Sequence, residues 1–275
     1  MNTNLKTINY SQKRLMPSYP FDRCFLIKSS IDVPKKKLIE PITKTLELKH
    51  EVRVMKDPAD LSDVTGYDHI IKAPSSMSRS DMVVLIAHAE IWQEIVYKDY
   101  DSALILEDTT TTILDSSSLN TRLLEFYSVY SDSFDILYLG KCQDSCKHYT
   151  KAYNGVYKSQ SPLCKYAYII TRSCAKKLLE ALPSSVPTDI HLNQLINDGL
   201  RAYVFHPNII KRNDIDMNFD SNDPVKAQVW KESVYRENVE CKYENEDESK
   251  DWTVTAAIAV AAIVIVVLLI LYSRR

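Results

Sequence analysis

Glycine is scarce in this chain, with four in 275 residues. A P-loop and a dinucleotide fingerprint each need several glycines at fixed spacing, because a backbone without Cβ lets a phosphate approach closely. Both routes to nucleotide binding are therefore excluded. A signal-peptide core is missing as well, since Met1 to Pro20 is polar with no apolar run of the secretory kind. Paired metal-ligand spacings are also lacking: Cys142, Cys146 and His148 lie close together, but no second Cys or His pair follows at zinc-finger spacing. A disulfide among Cys142, Cys146 and Cys164 is the alternative if the chain meets an oxidising compartment. Without a signal peptide, reduced thiols are the expectation. Neither charge sign dominates, 34 basic residues facing 36 acidic ones, and no nucleic-acid partner is expected.

What is present begins with the far end. Thr253 to Tyr272 holds no charge, no Gly and no Pro, and Ala256 to Leu271 is apolar throughout. About twenty residues at roughly 1.5 Å each span the ~30 Å hydrocarbon layer as a helix. Trp252 and Tyr272 bracket the run where amphipathic rings sit in a bilayer, with Arg274 and Arg275 beyond. The segment predicts a C-terminal membrane anchor. Before it, Glu237 to Asp251 carries seven acids against Lys242 and Lys250, a local charge of −5, and reads as a solvated stalk that anionic head groups repel.

The remaining chain alternates between short apolar runs and amphipathic stretches. Strands are expected at Arg23 to Lys28, Glu51 to Met55, Ser102 to Leu106, Phe134 to Leu139, Tyr166 to Ile170 and Leu200 to Phe205. Helices are expected at Pro34 to Leu48, Asp81 to Tyr97 (capped by Ser78 or Ser80), Leu119 to Tyr130, a Ser173-capped segment to Leu182, and Pro187 to Asn197. Asn154-Gly155 marks a hairpin. This rhythm implies an α/β sandwich around a mostly parallel sheet.

Ligands of open α/β sheets bind beyond the carboxyl ends of the strands. Glu107 and Asp108 follow the run Ala103-Leu-Ile-Leu106 at such an end, where two acids suit a divalent cation carrying a diphosphate. The alternative is an acidic turn that caps a helix. His88 and Trp92, one helical turn apart on an apolar face, read as core packing. Asp189 sits at a helix start as a candidate catalytic acid or a cap.

The order of these segments resembles glycosyltransferase family 25, the lipopolysaccharide and procollagen galactosyltransferase group. The residues that carry it are Cys24-Phe-Leu-Ile-Lys28, the spacing of His88 and Trp92, Ala103-Leu-Ile-Leu-Glu-Asp108, Asp135-Ile-Leu-Tyr-Leu-Gly140, Ala167-Tyr-Ile-Ile-Thr-Arg172, Ala175-Lys-Lys-Leu-Leu179 and Pro187-Thr-Asp189. The likeness runs over roughly residues 22 to 210. It implies a glycosyltransferase A-like fold, Glu107 and Asp108 as cofactor-binding residues with Asp108 on Mn²⁺ or Mg²⁺ and a UDP-sugar, and Asp189 as catalytic. The chain departs from the family at Thr109, where a further Asp is expected, and Thr110, Thr111 and Thr112 follow.

The plan of a transferase-like head, no signal peptide and a C-terminal span also resembles the poxvirus tail-anchored immunodominant virion envelope proteins. That likeness implies a virion-membrane protein that binds heparan sulfate on host cells, its head cytosolic before assembly. The candidate contacts are Lys141, Lys147, Lys151, Lys158 and Lys165, five lysines against Asp144, interleaved with Tyr149, Tyr153 and Tyr157. The expected organisation is an extension over 1–20, a glycosyltransferase-like domain over 21–212, a linker and stalk over 213–251, an anchor over 252–272 and a tail over 273–275. The expected function is glycosaminoglycan binding for attachment; the alternative is a working metal- and UDP-sugar-dependent transferase.

Overall fold

A computed structural model describes residues 19–29 and 42–212, apart from 62, 63, 74, 76, 109, 113, 143 and 145–148. The anchor, the stalk, Thr109 and Lys147 lie outside the described residues, as does 34–41 of the first expected helix. Among the described residues no helix is long and apolar enough to cross a membrane.

The chain is mixed α/β. Ten strands and five helices follow in the order β1 (Arg23–Lys28), α1 (Ile42–Thr45), β2 (Glu51–Val54), α2 (Arg79–Tyr97), β3 (Ser102–Glu107), β4 (Thr110–Thr112), α3 (Ser116–Tyr130), β5 (Ile136–Cys142), β6 (Thr150–Tyr153), β7 (Val156–Lys158), β8 (Leu163–Thr171), α4 (Arg172–Glu180), α5 (Thr188–Asn197), β9 (Ala202–Phe205) and β10 (Ile210–Arg212). Eight strands form one sheet in the order β2-β1-β3-β8-β5-β9-β7-β6. The pairings send six strands one way and turn β8 and β7 against them, so the sheet is mostly parallel in direction. Strands β4 and β10 make a separate antiparallel pair.

Alternation along each strand splits the core in two. Phe25, Ile27, Ala103, Ile105, Ile136 and Tyr138 face one layer with α2, α4 and α5. Cys24, Leu26, Leu104, Leu106, Leu137 and Leu139 face the other, with α1 and α3. Both faces are covered, which is why these strands read as unbroken apolar runs.

Local chemistry sets the boundaries. Ser78 and Asp81 form a reciprocal capping box at α2, and the Asp115 side chain accepts from the Ser118 amide at the start of α3. The cap of α4 is Thr171 rather than Ser173: Thr171 ends β8 in extended backbone, so its hydroxyl, not one inside the helix, reaches the Cys174 amide at 3.1 Å. Asn154 and Gly155, both at positive φ, turn β6 into β7. Gly140 is fixed by crowding. A Cβ there would fall inside the van der Waals envelope of the Ile210 carbonyl oxygen and the Tyr166 ring.

The thiols also differ from expectation. Cys142 and Cys164 are joined in a disulfide, because β5 and β8 pair antiparallel and bring the two ends of a 22-residue segment to a Cα–Cα distance of 5.4 Å. Cys24 and Cys174 are buried free thiols.

Candidate functional site

The reversed strand β8 builds the site. Because it runs against β3 and β5, its first residues lie at their carboxyl ends, where Glu107 finishes β3. Lys165 enters there from β8. Its ammonium lies 3.3 Å from Glu107 Oε1 and 3.5 Å from Asp189 Oδ2, and its backbone amide donates to Asp189 Oδ1 at 3.0 Å. Lys165 is thus a buried bridge between two acids that are 82 positions apart in sequence. Burial lowers its pKa, but the charges and hydrogen bonds of Glu107 and Asp189 outweigh burial and the net shift is upward.

Asp189 is not a cap. It stands in the first turn of α5, whose N-cap is Pro187 with no side-chain cap bond, and its carboxylate turns away to β8. Nor does Asp108 cap a helix: its Oδ2 accepts from the Ser29 amide at 3.3 Å and its own amide donates to the Ile27 carbonyl, pinning the acid turn to the end of β1. After it, the threonines fold back as β4 against β10, with the Thr110 hydroxyl donating to the Glu107 carbonyl at 2.7 Å.

A hydrogen-bonded line runs into this cluster from the core. Trp92 Nε1–H donates to Tyr168 Oη at 3.2 Å, and Tyr168 lies 2.7 Å from His88 Nδ1. With that hydroxyl already accepting from Trp92, its proton goes to Nδ1, which places the imidazole proton on Nε2. Nε2 is buried, has no hydrogen-bond partner and points at Glu107 Oε1 from 3.8 Å. Desolvation, with the Lys165 charge, holds the His88 pKa below the ordinary histidine value despite Glu107. His88 and Trp92 are core residues, as their spacing predicts. Their partner Tyr168, and the line that reaches Glu107, were not legible. The only sequence signal was a polar His on the apolar face of α2.

The lysines expected to form a polyanion patch are not together. Lys165 is committed to the acid pair. Lys141 is 1% exposed, with its ammonium 5.3 Å from the Tyr149 ring centroid. Beside it Asp144 is buried, accepting from Tyr149, Ser159 and Ser161, and burial raises its carboxyl against the pull of Lys141. Lys151 and Lys158 are exposed on the β6–β7 hairpin. Their partners are Tyr157 and Thr150, so the pleat sends the two lysines to opposite faces. Of Cys142, Cys146 and His148, the first gives its sulfur to Cys164, and the other two lie outside the described residues.

The residues do not fit a divalent metal. Among the described residues no group of three or more His, Cys, Asp or Glu is placed to hold one. Glu107 and Asp189 already face an ammonium, and position 109 supplies a threonine rather than a carboxylate.

A 630 Å³ cleft opens at the other end of the sheet, by Ser102, Phe134 and Thr171. Its cations are matched: Arg172 pairs with Asp101 at 2.8 Å, and Arg201 with the buried Asp135 at 2.9 Å, which Lys177 also meets at 3.0 Å.

No family model and no curated protein matches this chain. Among solved structures, the A197 protein from STIV superposes with a TM-score of 0.36 at 11% identity, over 67% of this chain and 82% of that one. A CMP:2-keto-3-deoxy-manno-octonic acid synthetase complexed with CTP gives 0.31 at 13% identity, over 67% and 89%. Both superpose too loosely to bear on this chain's fold or activity.

Proposed function

We propose that this chain is a tail-anchored virion surface protein whose glycosyltransferase-like head binds glycosaminoglycan, heparan sulfate in kind, for attachment to cells. The observation that carries a binding rather than a catalytic role is the occupation of the acid pair. The carboxylates that the family likeness assigns to a cation and a diphosphate are tied to Lys165. The apolar run before Tyr272 supplies the anchor, and the acidic stalk holds the head off the bilayer. The polyanion contacts fall to exposed lysines. Lys151 and Lys158 qualify, Lys147 joins them by its place in sequence, and Lys141 and Lys165 are withdrawn from the set by burial.

Heparin chromatography of the full chain in mild detergent tests this. Retention at physiological ionic strength, falling steeply with added salt, is expected, because several cations facing one polyanion are screened together. Reversal of Lys147, Lys151 or Lys158 to Glu is expected to shift elution to lower salt. Elution at very low salt, unmoved by all three reversals, rules the attachment reading out.

A UDP-sugar-dependent transferase is the second reading. It is favoured by one observation: Glu107 and Asp189, far apart in sequence, meet at the carboxyl end of β3, the end where α/β sheets take ligands. There Asp189 would orient an acceptor hydroxyl. Calorimetry with a UDP-sugar, paired with an assay for released UDP, separates the readings. Turnover that is lost in Asp189→Asn makes the protein an enzyme.

A further inference from the structure

The acid cluster holds an internal cation, and that cation sits on the line between its two acids. A divalent metal in such a cluster would have to bring Glu107 and Asp189 onto itself. Lys165 Nζ occupies that place at 3.3 and 3.5 Å, held by its buried stem and by a backbone amide that also binds Asp189. An entering metal must displace an ammonium that has nowhere else to go, which costs a desolvated charge without a partner.

The charge of the cluster limits its ligand as well. Glu107, Asp108 and Asp189 against Lys165 leave a formal charge of −2, with the imidazole of His88 neutral. Without a metal to offset it, that charge repels a diphosphate. It suits hydroxyl groups, which donate to carboxylate oxygens at no charge cost. The Glu107 and Asp189 side chains remain 22% and 34% exposed, so a ligand can reach them. His88 Nε2, buried and without a hydrogen-bond partner, points at Glu107 and stands ready as a donor.

We propose that Lys165 is the resident cation of this site, standing between Glu107 and Asp189 in place of a divalent metal, so that the site is blind to metal and accepts an uncharged, hydroxyl-rich saccharide rather than a nucleoside diphosphate. The saccharide class rests on the glycan-binding reading; the exclusion of metal does not.

Mn²⁺ titration of the full chain, followed by loss of the free-ion electron paramagnetic resonance signal, tests the exclusion directly. Wild type is expected to leave the signal unchanged. Lys165→Ala, which frees both carboxylates, is expected to bind Mn²⁺ at least on the order of tenfold more tightly than wild type, with the gain lost again when Glu107→Gln is added. Lys165→Arg keeps the charge and is expected to stay blind. Mn²⁺ uptake by wild type that Glu107→Gln abolishes overturns the proposal, and needs no lysine variant to fold. A folded Lys165→Ala that takes up no Mn²⁺ overturns it too. Calorimetric titration of wild type with UDP is expected to give no heat with or without Mn²⁺, and binding strengthened by Mn²⁺ counts against the proposal. Heparin retention of Lys165→Ala is expected to match wild type. A wild type that ignores heparin sinks the attachment reading and leaves the Mn²⁺ result standing.

Discussion

Tyr168 decides the polar order of the core. Its hydroxyl accepts from Trp92 and donates to His88, and both rings are fully buried. Replacing it with Phe keeps the ring packing and leaves two buried nitrogens without a partner, at a cost of about 1–3 kcal/mol. Tyr168→Phe is therefore expected to lower the urea midpoint with the slope unchanged. An unshifted midpoint shows that water or a rearranged His88 replaces the bond. The same residue-scale logic separates Lys165 from Lys151. Both are lysines in a stretch poor in acids, yet one faces two carboxylates from inside the fold and the other faces solvent.

At the scale of elements, β5 and β8 carry the site. Their pairing shifts register at Gly140, and β10 crosses beside it, so the glycine is where two backbones come closest. Gly140→Ala must push Ile210 or the Tyr166 ring away, and overpacking of this kind costs about 1–3 kcal/mol. Since Tyr166 precedes Ala167 on β8 and follows Lys165, the displacement is also expected to disturb the site. The check is a lowered melting temperature together with altered exchange protection at the Lys165 amide, which bonds Asp189. A variant with wild-type melting temperature shows that β10 moves aside freely.

For the whole molecule, acid is the sensitive condition. Burial holds His88, His191 and His206 below the ordinary histidine range, the last at about 4 with help from Lys141. Each stays neutral in the fold while the unfolded chain takes up protons near pH 6.5. Stability from these groups is therefore complete above that pH and is lost as pH falls towards the folded value. Asp144, with its raised carboxyl, opposes the trend in the acid part of that window. His206 is the simplest one to isolate because its ring packs edge-on against Tyr149 and Tyr157. His206→Phe is expected to save about 1–2 kcal/mol of the stability lost between pH 7 and pH 5, read from denaturant midpoints at the two pH values. Equal losses in wild type and variant assign the acid sensitivity elsewhere.

Much of the architecture was legible in the residues because it follows from near neighbours. Apolar runs with two-residue alternation fixed the strands from Arg23, Glu51, Ser102 and Phe134, and a helical period fixed the span ending at Tyr97. Ser78 and Asn154-Gly155 marked a cap and a turn. The acid pair after Leu106 was placed at a strand end for the same reason. Strand direction and register are not local properties, and they decided the rest. Only the reversal of β8 takes Lys165 out of a run of lysines and sets it between Glu107 and Asp189. Only the pairing of Lys151 with Tyr157 and Thr150 with Lys158 shows that two neighbouring cations face opposite ways. A single sequence shows which side chains carry charge; which charges meet depends on contacts between residues far apart in the chain, and the folded sheet supplies those.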